Sequence, residues 1–407
     1  MIQHATDPAH FTKVVAEFGG HKPVIATRPI FNAHGTKVLE MGALVNPNLY
    51  ERLIQHRLSE PLEHCVTSVP SITPANLQKS VAEAIERVPL YERMLNDSDA
   101  RSQLLEAISR IPLPDPIAFQ LTLACEMRPT LYAHLVDTAI VSAWLAMDPT
   151  HPSHVRVVNA ATVGLLHDIG MLHLNPILLD YRHEIDESTL RELYTHPLVS
   201  HVLTENQGIY PAEVLDGIRD HHEFMDGSGY PRGQTASSLG MMARILTLTE
   251  LIVGAHAAGR LMSEHRLSIV LRMNLHRYDE TLSGRVLDLL RPYPEIIGST
   301  LPLIDRPAAH LRMVHTVLER WPHLRSTNAA SAGRPHIDID YITSQVQCMQ
   351  HALARVGAAP IHLEQLGETK TDLMLHTELT LLVEEVDWQL RSLIRQIRLR
   401  TRRENSH

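Results

Sequence analysis

Apolar residues recur at three- and four-residue spacing through most of this chain, a rhythm that predicts α-helix. It is clearest over residues 131–147, 154–167, 187–207, 211–222 and 239–257. Strand-like patterning is confined to the N-terminal region. There residues 24–31 read as a strand, Asn32-Ala33-His34-Gly35 as a turn and residues 37–41 as a returning strand. Asn46-Pro47-Asn48 can start a helix through residues 49–53, and helical periodicity returns over 81–94 and 101–111. The expected fold class is mainly α: a helical middle domain, a small α+β N-terminal module and a C-terminal helical extension.

Breaks in the rhythm suggest the domain limits. The proline-rich stretch 111–116 separates residues 1–112 from a helical domain over 113–262. The N-terminal module suits either a sensory or docking role or simple packing. Residues 263–407 form the extension, in which a polar loop at 326–335 sets off a final helical pair. The last helix, over 371–403, carries Leu375, Leu379, Leu382, Val386, Leu390, Leu393 and Ile397 in one stripe. Such a stripe suits packing on the chain's own helices or a homodimer seam.

Composition narrows the chemistry. At 407 residues the chain exceeds one ordinary core, and 44% hydrophobic with 20% charged residues is a globular balance. A net charge of -9 argues against DNA as partner, because phosphate backbones need a basic surface. It leaves room for a small anion in a local pocket. Cys65, Cys125 and Cys348 are widely spaced and form no CxxC pair, which fits a reducing compartment. The first residues show no basic segment followed by an apolar run, and apolar stretches such as 139–147 are too short for a bilayer span. A cytoplasmic protein without membrane insertion is the expectation.

The strongest chemical signal is His221-His222-Glu223-Phe224-Met225-Asp226-Gly227-Ser228-Gly229-Tyr230-Pro231. Adjacent histidines at a helix end project about 100° apart, so both can serve one metal from different sides. Imidazole suits Fe, Mn, Zn or Ni. Glu223 and Asp226 stand close enough to accept from imidazole N–H groups and set their tautomers. Gly227, Ser228 and Gly229 make a turn where backbone can approach a ligand, and Tyr230 can stack or hydrogen-bond before the stiff exit at Pro231. The second signal is His167-Asp168-Ile169-Gly170, delivered at the end of an apolar helix. A carboxylate can bridge two metals, one through each oxygen.

An HD pair followed about fifty residues later by HHExxDGxGYP resembles the HD-GYP domain, a branch of the HD phosphohydrolases. The resemblance covers residues 120–260. It implies further ligands: His134 upstream of the HD pair, His196 between the two motifs with His201 as a weaker competitor, and Glu250 in the helix that follows GYP. One metal would take His134, His167, Asp168 and Glu250; the other would take His196, His221 and His222, with Asp168 shared. The implied cofactors are two divalent ions, Fe or Mn. The implied activity is hydrolysis of cyclic di-GMP to pGpG or GMP by a hydroxide between the metals, with His167 and Asp168 at its centre. Gly229, Tyr230, Pro231, Arg232, Arg244 and Arg260 are the substrate contacts it suggests.

The chain also departs from the family. Met171 stands where HD-I-G is usually followed by lysine, Leu135 and Asp137 replace the serine and arginine that usually follow the first histidine, and Glu250 replaces an aspartate. Thr130 occupies the place of a glutamate that recruits a third metal in some members, so two metals are expected. These departures motivate two further readings. One is a weakly active receptor that binds cyclic di-GMP or a partner such as a GGDEF-domain protein. The other is a phosphohydrolase of a different cyclic dinucleotide.

Overall fold

The computed structural model describes residues 8–175, 187–257, 263–290, 304–323, 339–365 and 373–404. These fall into two compact units, Met1–Val253 and Gly254–His407. Arg260 and the polar loop at 326–335 lie outside the described residues.

The first unit begins with α1 (Pro8–Gly19) and a small strand region. Residues 24–31 do not run as one strand. Pro29 has no N–H to give a ladder, and the stretch divides there into β1 (Val24–Ala26) and β2 (Ile30–Phe31). β2 makes the expected hairpin with β3 (Lys37–Leu39), pairing Ile30 with Leu39. Its turn is closed by Asn32, whose Oδ1 accepts from the N–H of His34 at 3.0 Å and of Thr36 at 2.8 Å. β1 instead lies between β4 (Leu44–Val45) and, after α2 (Tyr50–Gln55), β5 (Val66–Ser68), both antiparallel to it.

Among the described residues, helices follow without further strands. α3 (Pro74–Arg87) opens on a reciprocal cap, in which Thr73 Oγ1 accepts from Asn76 N–H and Asn76 Oδ1 accepts from Thr73 N–H. α4 (Pro89–Met94), α5 (Ser98–Ser109) and α6 (Asp115–Met127) lead to the two central helices, α7 (Pro129–Ala146) and α8 (His154–Leu166). Almost all of α7 from Leu131 onward and of α8 from Val157 onward is buried, so their apolar residues ring the helix rather than form a stripe. The stretch His154–His173 is apolar enough by composition to cross a membrane, but 78% of that window is buried in protein. It is a core helix that carries the HD pair at its end.

A tight 3-10 turn, Ile169–His173, follows α8 and packs under α1. His173 stacks flat on Phe11, with centroids 4.1 Å apart, and lies 3.2 Å from Gln120 Oε1. α9 (Glu187–Leu193), α10 (His196–Glu205), α11 (Ala212–Arg219) and α12 (Met241–Ala257) bring in the remaining site residues.

The second unit contains α13 (Ser263–Met273), α14 (Glu280–Leu289), α15 (Pro307–Glu319), α16 (Ile339–Arg355), α17 (Pro360–Gln365) and α18 (Leu373–Glu404). Its core takes Leu379, Leu382 and Val386 from α18 against Met273, Leu311, Met349 and Leu353, with Leu375, Leu390 and Ile397 at the margin. Leu379, Leu382 and Val386 of the α18 stripe are therefore buried on its own unit, as the packing alternative expects, while Leu393 stands outside this core. Buried polar contacts set its register: Asn274 Nδ2 donates to Glu385 Oε1 at 2.8 Å, and Gln389 Nε2 donates to Asn274 Oδ1 at 3.1 Å.

Candidate metal centre

The close crossing of α7 and α8 starts the site. At Gly164 a Cβ would lie 2.5 Å from the Thr138 carbonyl oxygen, so only glycine permits this approach. Thr138 Oγ1 sits in the same crossing, 2.8 Å from the carbonyls of both His134 and Gly164. His134 from α7 and His167 from the end of α8 then meet with Nε2 atoms 3.2 Å apart. Asp168 Oδ2 lies 3.6 Å from His134 Nε2 and 3.4 Å from His167 Nε2. Glu250 Oε1, from α12, closes this group at 3.3 and 3.1 Å from the same nitrogens.

A second group forms on the other side of Asp168. His196 Nε2 lies 3.1 Å from His221 Nε2 and 3.1 Å from His222 Nε2. Asp168 Oδ1 lies 3.1 Å from His196 Nε2 and 3.6 Å from His221 Nε2. One carboxylate thus turns one oxygen to each cluster. His201 is not part of either: its Nδ1 meets the Leu215 carbonyl and its Nε2 faces Glu205.

The protonation pattern tests whether cations fit. Nδ1 of His167, His196 and His221 each donates to a backbone carbonyl, of Gly164 at 2.8 Å, Leu193 at 2.6 Å and Ile218 at 2.7 Å. For His196 and His221 that assignment leaves Nε2 of the neutral ring as a lone pair. Two lone pairs then face each other across 3.1 Å between His196 and His221. Burial, then the neighbouring imidazoles, hold His221 well below the usual histidine range and push His222 down to about 3. Burial opposes charge on His134 and His167 too, but the facing carboxylates Glu250 and Asp168 raise His134 above the usual histidine range and His167 well above it. Asp168 Oδ1 and Glu250 Oε1 are buried with no hydrogen-bond donor. Burial opposes charge on both carboxylates, but the facing histidines prevail and hold them well below the usual carboxylate range. Converging lone pairs and orphaned anionic oxygens are the donor set of metal ions. Donors each about 2.1 Å from one cation lie about 3.0–3.4 Å apart at tetrahedral or right angles, which matches most of these separations.

The HHE loop is held from behind. Glu223 is fully buried, and its oxygens accept from Arg232 N–H at 2.6 Å and Gln234 N–H at 2.8 Å. Asp226 Oδ1 accepts from Ser228 N–H and Oγ. These two carboxylates therefore brace the loop backbone; carbonyls, not they, orient the three imidazoles named above. At Gly229 a Cβ would come within 2.4 Å of the His222 carbonyl, so the chain passes under the histidines only as glycine. Thr247 Oγ1, three residues before Glu250, lies 3.0 Å from the His221 carbonyl and 3.1 Å from that of Glu223.

The expected substrate contacts divide. Tyr230 stands in the site, stacked on His222 at 4.6 Å and on Tyr194 at 4.0 Å. Arg232 Nη2 is engaged by both oxygens of buried Asp220, at 2.7 and 2.6 Å. Arg244 donates to the carbonyls of Leu239 and Ala236. Met171 is 8% exposed within its 3-10 turn. Thr138, Tyr194 and Thr247 were not singled out from the sequence. The one signal for each was its place one turn or less from a ligand.

Residues 123–282 match the family model described as HD domain. Among curated proteins, 3'3'-cGAMP-specific phosphodiesterase 1 of Vibrio cholerae is 27% identical over 269 residues, 62% of this chain and 54% of the relative. Over 89 residues, 22% of this chain and 19% of the relative, 3'3'-cGAMP-specific phosphodiesterase 3 of the same organism is 33% identical. Cyclic di-GMP phosphodiesterase PdeB of Borreliella burgdorferi is 25% identical over 113 residues, 28% of this chain and 29% of the relative. The chain thus spans about half or less of the length of these relatives. No solved structure matched it. The matched region contains both clusters that could hold a metal ion, and residues 123–282 are accordingly an HD domain, one that carries the HD pair and the full HHExxDGxGYP sequence of the HD-GYP type.

Proposed function

We propose that this chain hydrolyses a phosphodiester bond of a cyclic dinucleotide, with cyclic di-GMP as the substrate to which the motif points. The observation that carries the reading is Asp168, placed with one oxygen toward each histidine cluster. His134, His167, Asp168 and Glu250 would hold one divalent cation, and His196, His221, His222 and Asp168 the other. Bound there, two cations supply a water acidic enough to attack phosphorus near neutral pH and neutralise the phosphoryl oxygens.

The chain's own part is to orient donors and keep charge in place. The three carbonyl-anchored histidines present Nε2 in a fixed orientation. The Glu223 carboxylate keeps the loop at Arg232 and Gln234 closed beneath them. Among the described residues, substrate charge would be met mainly at the two-cation centre, because Arg232 and Arg244 are engaged within the protein and Met171 brings no charge. Gly229, Tyr230 and Pro231 form the substrate-side wall.

The longest relative match favours a second substrate, since that relative is named as specific for 3'3'-cGAMP. The test is hydrolysis of both cyclic dinucleotides by the full chain, reconstituted anaerobically with Fe(II) or Mn(II) and counted for metal. We expect linear dinucleotide or mononucleotide from at least one substrate, and none with Asp168→Ala. Two metals bound without product from either would overturn the enzyme reading. It would favour a receptor for cyclic di-GMP or a GGDEF-domain partner.

A further inference from the structure

Three of the site's histidines are anchored through Nδ1 to a backbone carbonyl. His222 has no such anchor among the described residues. Its ring instead lies against Tyr230, with centroids 4.6 Å apart and planes 27° apart. Tyr230 is backed in turn by Tyr194, at 4.0 Å and 21°. Two rings lying nearly flat on one face of Tyr230 at these distances would overlap, so His222 and Tyr194 occupy opposite faces. Tyr230 is sandwiched, and it meets a substrate with its edge or hydroxyl rather than a π face.

Tyr194 also sits at a telling place in the chain. It joins α9 to α10, directly after Leu193, whose carbonyl orients His196 at 2.6 Å. Two successive residues therefore aim at the same cluster. One acts through a hydrogen bond on His196, the other through an aromatic stack on His222.

We propose that Tyr194 is a positioning residue for the second cation, holding His222 in register through Tyr230. The inference rests on the two-cation reading of the site. Offset stacking depends on the ring, so the hydroxyl of Tyr194 is dispensable for this role while the aromatic face is not.

The test compares the full-length wild type with Tyr194→Phe and Tyr194→Leu, using Mn(II) as probe. Metal binding is followed by equilibrium dialysis, and paired ions by the exchange-coupled signal in electron paramagnetic resonance. Wild type and Tyr194→Phe should bind two ions with the coupled signal. Tyr194→Leu should keep one tight ion and bind the second about 10- to 100-fold more weakly, the usual effect of removing a group that orients a ligand. Two ions bound by Tyr194→Leu as tightly as by Tyr194→Phe would overturn the proposal. Equal weakening at both sites would also overturn it, since the ring would then support the fold at large. A wild type that binds fewer than two ions would sink the two-cation reading itself, a result distinct from either variant outcome.

Discussion

Asp168 turns one carboxylate oxygen to each histidine cluster, whereas Glu250 Oε1 faces His134 and His167. Their substitutions should therefore differ in kind. Asp168→Asn keeps the shape but removes the charge from both sites, and metal content should fall from two ions toward zero. Glu250→Gln should weaken binding by about tenfold or more at one site and leave the other loaded. Metal analysis after dialysis at fixed free Mn(II) separates the two patterns. If Glu250→Gln lost both ions together, the assignment of Glu250 to the His134–His167 side would fail. The same scale shows what the residues alone made legible. His167, Asp168, His221 and His222 stand together in short motifs, so their convergence needed no tertiary information. That Arg232 would close on Asp220, twelve positions back, did not follow from its place beside the motif. A guanidinium next to a site binds whichever anion the fold brings nearest.

At the scale of elements, the site depends on how closely helices approach. The α7–α8 crossing brings His134 to His167 because residue 164 has no side chain. Gly164→Ala would place a methyl group against the Thr138 carbonyl and its neighbour's Cα. We expect it to cost about 1–3 kcal/mol in stability, the range for overpacking a tight core. It should also weaken the metal site at His134 more than that at His222, as read by urea unfolding and metal titration. Unchanged stability would mean that the crossing relaxes without consequence. Helices with one exposed face were legible from apolar spacing, whereas α7, buried almost all round from Leu131 onward, shows a long apolar run in place of a stripe. The strand region was less legible. Residues 24–31 carry one pattern, but Pro29 cannot join a ladder, and the two halves pair in different sheets.

For the molecule as a whole, two buried groups of the first unit set opposite pH limits on folding. Burial holds His173 down to about 3 from its ordinary 6.5. The stability this neutral ring contributes is present above about pH 6.5 and is lost as pH falls toward 3, because the unfolded chain takes up the proton first. Burial pushes Glu63 up to about 7 from 4.5. A raised carboxyl acts in the other sense: its contribution is complete below pH 4.5 and lost as pH rises through 7. Glu63→Gln should therefore raise the melting temperature relative to wild type at pH 8, with little difference at pH 4.5. A variant no more stable than wild type at pH 8 would show that Glu63 ionises without cost. His173→Phe should flatten the acid limb, and a melting profile as steep as wild type between pH 6.5 and 4 would count against its role.

The sequence by itself determined the helical class, the HD and HHExxDGxGYP residues and the chemistry those residue types allow, because each is written in contiguous spacing. It also placed His134, His196 and Glu250 through resemblance to a family. Only the tertiary structure decided that Asp168 turns one oxygen to each cluster, that backbone carbonyls set the imidazole tautomers, and that Tyr194 backs the ring which holds His222. These are relations between distant segments and main-chain atoms. Every residue type carries a carbonyl, and any two aromatic rings can stack, so neither leaves a signature in the order of side chains. Folding selects among them by bringing particular backbones within a few ångströms.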